Sequence, residues 1–443
     1  MTEKIEIATD QVIPTIRRHM IGDGFEFVVD FEKSHGSFVH DALTGREFLD
    51  FYSCFASSPL GFNHPKMNAP EVREAITVSG LNNITNSDLF TTLKAEFVET
   101  FYRKAAPERM PHLFLIAGGA LAVENALKAA FDWKAKLNRA RGQTGRREMK
   151  VIHLREAFHG RSGYTLSLTN TDPVKTDLFP KFDWPRIDNP KIVFPDRGEN
   201  HQDLLRREAR ALEQMKHAIL TFGDDVAACI VEPIQGEGGD NHFRGEFLRE
   251  VQRLCNENDV MFIVDEIQSG LGITGRMWAY EHLGLEPDML CFGKKMQVCG
   301  FVAGDRIDQV EDNVFRVSGR INSTWGGNLV DMVRSRFYID IIDQDRLVDN
   351  AALMGDVLLG ELERLAERHP HLISNVRGRG LMCAFDLPTV RLRDELRRSL
   401  FEKGVLILAC GERSLRFRPL LTVSAEEIGR GIARLDEACA GLA

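Results

Sequence analysis

Five short apolar runs, at 112–117, 149–154, 227–233, 261–265 and 288–293, alternate with helical stretches such as 120–136, 204–222 and 245–257. The last two contain Met261-Phe262-Ile263-Val264 and Met289-Leu290-Cys291-Phe292, with no polar residue to turn toward water. A strand that is apolar throughout is buried on both faces, and strands joined by helices pair in parallel beneath them. The expected fold class is therefore α/β, with a large domain at about 71–334 whose mostly parallel central sheet is flanked by helices.

The chain ends read differently. Residues 25–31, 37–40 and 47–51 look like strands around a turn at 41–46. Residues 330–368 are helix-rich, 375–380 precede a short strand at 381–385, and Ser424 with Glu427 three positions on opens the last helix. At 443 residues the chain is too long for one compact core. A smaller α+β domain assembled from 1–70 and 335–443 completes the expected layout.

A net charge of -9 argues against nucleic acid or anionic membrane as the main partner. No apolar run approaches the roughly 20 residues of a spanning helix. The N-terminal residues 1–6 are charged, so a cytoplasmic protein is expected. The eight cysteines form no Cys-x-x-Cys pair, which points to free thiols and to no metal site.

Two of the apolar runs end in chemistry. The first ends in Asp265, and the second runs through Gly293 into Lys294-Lys295. A carboxylate can keep a pyridine nitrogen protonated, and a lysine can form an imine with an aldehyde, which together suit pyridoxal 5′-phosphate (PLP). A lysine pair is more often a solvated feature, but this one lies between Met-Leu-Cys-Phe-Gly and Met-Gln-Val-Cys-Gly. Burial lowers a lysine pKa and frees its lone pair. From the residues alone, either Lys294 or Lys295 fits.

Other candidates surround this pair. Gly118-Gly119-Ala120 opens a helix after a strand, where backbone N–H groups can hold a phosphate, although a tight turn looks the same. Thr324 can add a hydroxyl to that phosphate. Phe158, after the run 149–154, can stack on the cofactor ring, and Gln268 can hydrogen-bond its phenolic oxygen. Gly270-Leu271-Gly272-Ile273-Thr274-Gly275 matches a dinucleotide fingerprint. Too little helix follows it, so its glycines are read as close backbone approach to a ligand or a partner subunit.

Together these segments resemble the class III (ω-amino acid) aminotransferases of the type I PLP-dependent transferase fold. Residues 263–270, Ile-Val-Asp-Glu-Ile-Gln-Ser-Gly, look like the family signature, and Phe292-Gly293-Lys294-Lys295 follows at the right distance. The runs 118–134, 158–171 and 322–328 resemble members that act on the ε-amine of lysine, and the similarity extends over about 25–435. The resemblance implies that Lys294 forms the imine and Asp265 tunes the ring. Gly119, Ala120, Phe158, Gln268 and Thr324 would hold the cofactor. It also implies a homodimer in which Thr324 reaches the phosphate of the partner's cofactor. The expected reaction moves the ε-amino group of L-lysine to 2-oxoglutarate, giving 2-aminoadipate 6-semialdehyde, which cyclises, and L-glutamate. The alternative is a relative using ornithine, 4-aminobutyrate or a diamine.

Arg161 is the candidate for the substrate carboxylate far from the reacting carbon, and Arg416 for the one beside it. Glu237 resembles the family's gate over Arg416, with neighbouring glycines giving it freedom. Ala117 and Ala120 depart from the polar residues common in relatives, so phosphate binding must lean on backbone N–H groups and Thr324.

Overall fold

The computed structural model describes residues 5–143 and 149–442. Its centre is a seven-stranded sheet in the order His112–Ile116, Cys299–Ala303, Met289–Phe292, Met261–Asp265, Val226–Val231, Lys150–Leu154, Arg186–Ile187. Six strands share one direction, and Cys299–Ala303 alone runs against both its neighbours. That strand was not read from the sequence. The short link 293–298 leaves no room for a crossover helix, so the chain returns as a hairpin.

The apolar runs fill two layers at once. Met261 and Ile263 pack on one face with Val123, Ala126 and Trp133 of helix Gly119–Ala140. Phe262 and Val264 pack on the other with Phe247, Leu248 and Val251 of helix Gly245–Glu257. Alternate side chains of one strand point to opposite faces, so a strand covered on both sides has no place for a polar residue.

Both chain ends meet in a smaller sheet. Phe38–His40 pairs antiparallel with Glu47–Asp50, which pairs in parallel with Val405–Leu406. Residues 25–31 do not form the expected strand and contribute only a bridge from Val29 to Asp41. Their aromatic side chains decide this, because Phe25 and Phe27 stack on Phe401 at 5.7 and 6.4 Å. The helix-rich stretch splits into Leu329–Gln344 and Leu347–Arg368 at Arg346, whose φ is +53°. Residues 375–380 lie largely within a strand, Ser374–Arg379, which pairs with Met382–Asp386 in a four-stranded sheet. Ser424 and Glu427 form the expected capping box on Ala425–Ala440.

Among the described residues, no helix is long and apolar enough to cross a membrane, and all eight cysteines are free. Phe262 is wholly buried between the two layers. Phe262→Ala should therefore cost about 3–5 kcal/mol, read as a lower urea midpoint.

Candidate active site

The six strands that share one direction aim their carboxyl ends at one edge of the sheet, where ligands of open α/β sheets bind. A cavity of about 630 Å³ lies there. Of the sequence candidates, Gly119, Ala120, Phe158, Arg161, Asp265, Gln268 and Lys294 line it.

Asp265 is buried at the end of its strand. One carboxylate oxygen accepts the backbone N–H of Ile267 at 3.1 Å. The other lies 2.8 Å from Nδ1 of His159, which is itself buried. With Nδ1–H donating to the acid, His159 Nε2 is left as an acceptor, and it is buried without a partner. No role for His159 was read from the sequence. Nothing local marks it, since its contact lies 106 positions away.

The two lysines separate cleanly. Lys294 lines the cavity, and its Nζ stands 5.8 Å over the ring of Phe55. Burial, with Arg416 nearby, lowers its pKa to about 8. Lys295 is turned into the wall, where Nζ donates to the carbonyls of Gln268 at 2.8 Å and Ala56 at 3.2 Å.

That wall includes a turn the sequence did not announce. Ser53, Cys54, Phe55 and Ala56 have φ of 41°, 52°, 58° and 63°, four left-handed residues in a row without glycine. Each costs about 1–2 kcal/mol. The Asp50 carboxylate accepts the N–H groups of Tyr52 and Ser53 at 2.8 and 2.7 Å, and Gln297 Nε2 donates to Ser57 O at 2.7 Å. These bonds and Lys295 offset the strain, and the turn sets Phe55 against Lys294. Glu232 ties two further walls together by accepting the N–H groups of Phe158 and Gly236 at 2.9 and 3.2 Å.

At the cavity's side, Arg416 is buried and meets Glu237 at 3.0 Å and Gln268 Oε1 at 3.4 Å. The second Glu237 oxygen is taken by Lys175, which the sequence analysis missed. Burial raises the Glu237 pKa, but Arg416 and Lys175 outweigh it and hold the acid below its usual range. Arg161 is exposed on the rim. Thr324 is exposed and does not line this chain's cavity; its loop is pinned by Asn86 Nδ2, 3.0 Å from both Trp325 O and Gly327 O.

These groups fit PLP at each of its polar ends. Asp265 suits the ring nitrogen and Lys294 the aldehyde. Gln268, whose Oε1 is spent on Arg416, keeps its Nε2 for the phenolic oxygen. Helix Gly119–Ala140 opens on the cavity lining, where its N-terminal N–H groups suit a phosphate. The fold and the site thus define a PLP-dependent enzyme of the α/β transferase type.

A family model described as aminotransferase class III matches residues 22–439, and the chain belongs to that family. An L-lysine-epsilon aminotransferase from Streptomyces clavuligerus is 50% identical over 423 residues, covering 95% of this chain and 92% of its own. A solved structure of lysine aminotransferase from M. tuberculosis in the internal aldimine form superposes with a TM-score of 0.96. It shares 48% identity and covers 99% of this chain and 100% of its own. A mitochondrial 4-aminobutyrate aminotransferase from Sus scrofa is 34% identical over 427 residues, covering 90% of this chain and 82% of its own.

An amine with a pKa near 8 is half free at that pH, and the free fraction grows as pH rises. Acetylation of the cofactor-free chain, mapped by mass spectrometry, should label Lys294 with a midpoint near pH 8. Lys295, hydrogen-bonded inside the wall, should stay unlabelled in the folded chain.

Proposed function

We propose that this chain transfers the ε-amino group of L-lysine to 2-oxoglutarate, giving 2-aminoadipate 6-semialdehyde, which cyclises, and L-glutamate. The identity to lysine aminotransferases supports the donor. One observation carries the choice of the ε-amine: Glu237 stands 3.0 Å from Arg416 and neutralises it. An ω-amino donor carries its carboxylate far from the reacting carbon, so a free Arg416 beside that carbon would favour the α-amine instead. Arg161, on the rim, would take the α-carboxylate of lysine through paired hydrogen bonds.

PLP, when bound, supplies an electron sink for the carbon that loses its proton and a carrier for the amino group. Asp265 would hold the proton on the ring nitrogen, oriented by His159. Gly119 and Ala120 would bind the phosphate through backbone N–H groups, Phe158 would stack on the ring, and Gln268 would donate to the phenolic oxygen. Lys294, once free, would act as the base that takes a proton from the ε-carbon of lysine. In the second half-reaction, Arg416 and Arg161 would grip the two carboxylates of 2-oxoglutarate after Glu237 turns aside.

The division into a large domain at 71–334 and a smaller one from 1–70 and 335–443 belongs to this reading. So does a homodimer. Asn86 ties the 322–327 loop to the segment carrying Leu89 and Phe90, whose apolar side chains are exposed. A second copy covering that face would bring Thr324 to the partner's phosphate.

In assays across amine donors, kcat/KM should be highest for L-lysine; equal or better turnover of ornithine, 4-aminobutyrate or a diamine would refute the donor assignment. Glu237→Ala should raise kcat/KM for L-glutamate relative to L-lysine by about tenfold, the scale of exposing one charge to a carboxylate. An unchanged ratio would remove the gate.

A further inference from the structure

Glu237 spans two cations with one oxygen each. Oε2 meets Arg416, whose side chain is 3% exposed, and Oε1 meets Lys175, whose side chain is 23% exposed. Lys175 ends the short turn Pro173–Lys175, which is fixed by Asp172 accepting the N–H of Val174 at 3.0 Å. Its Nζ also lies 5.7 Å over the ring of Phe158, on the wall of the cavity.

The backbone around Glu237 is closely packed. A Cβ on Gly236 would stand 2.4 Å from Gln268 Oε1, and one on Gly238 would stand 2.1 Å from Glu156 O. The carbonyl of Glu237 accepts the N–H of Gly411 at 2.8 Å. Just beyond, Arg377 Nε donates to Gly239 O and Asp240 O at 3.2 and 3.0 Å, and Arg418 pairs with the Asp240 carboxylate. The glycines that the sequence suggested as a source of freedom serve close packing instead. Glu237 can leave Arg416 only by turning its side chain, and a half-buried carboxylate that leaves one cation needs another within reach.

We propose that Lys175 is the second station of the gate, a positioning residue that keeps Glu237 paired when a dicarboxylate takes its place on Arg416. This rests on the gate reading of Glu237 given above. With an ω-amino monocarboxylate in the cavity, Glu237 bridges both cations and Arg416 is neutralised. When a 2-oxo dicarboxylate arrives, its carboxylate replaces Oε2 at Arg416, and Glu237 remains on Lys175 by rotation alone. Lys175 thereby favours the acceptor over the donor without touching either.

The test uses the PLP-loaded enzyme and the ratio of KM for 2-oxoglutarate to KM for L-lysine. Lys175→Met should raise this ratio about tenfold, Lys175→Arg should restore it to within about twofold, and in a Glu237→Gln background Lys175→Met should leave it unchanged. If both KM values rise together, Lys175 merely attracts anions and the proposal fails. If the acceptor KM still rises in the Glu237→Gln background, Lys175 holds substrate directly and the proposal also fails. If Glu237→Gln alone leaves donor preference unaltered, the gate reading itself falls, a separate result from either of these.

Discussion

One parallel register governs the cavity. Strand Met289–Phe292 pairs with Met261–Asp265 so that Cys291 lies opposite Asp265. Two residues after Cys291 the strand has ended, and Lys294 turns into the same space that Asp265 faces. A slip of one residue would send either side chain to the opposite layer, among Phe262, Val264 and their partners. The apolar sandwich thus fixes the register, and the register fixes the distance between acid and amine.

Charge at this depth is expensive, and the surroundings are arranged to carry it. Asp265 has a backbone donor and His159. Lys294 is lowered to about 8, so it is easily neutral, and Lys295 is anchored on two carbonyls. Strain is concentrated in the same place: four left-handed residues at 53–56 and Lys294 itself, at φ +48°. Such conformations persist only where neighbours over-determine them, as Asp50, Lys295 and Gln297 do here. The result is a braced cup, and the proposed gate asks only one side chain, Glu237, to move.

The α/β layers, the helix opening at Gly119, Asp265 and the lysine pair 294–295 were legible in the sequence because each is set by local pattern, while the choice of Lys294 within the pair came from the family resemblance. An apolar run reports burial, and a residue at its end reports the sheet edge. What escaped was non-local or unsigned. His159 meets Asp265 from a distant loop, and Lys175 reaches Glu237 from an exposed turn. The left-handed turn has no glycine to mark it, and residues 25–31 were claimed by ring stacking on Phe401 rather than by a ladder. The glycines beside Glu237 were legible as glycines, but only the structure reveals that they are close contacts.

The central claim is that Lys294, and not its neighbour, is the amine that engages the cofactor's aldehyde. Borohydride reduction of the PLP-loaded enzyme, followed by peptide mapping, tests it most directly. The account predicts one stable pyridoxyl group on Lys294 and loss of that label in Lys294→Ala. A label on Lys295, or none on the loaded protein, would contradict it.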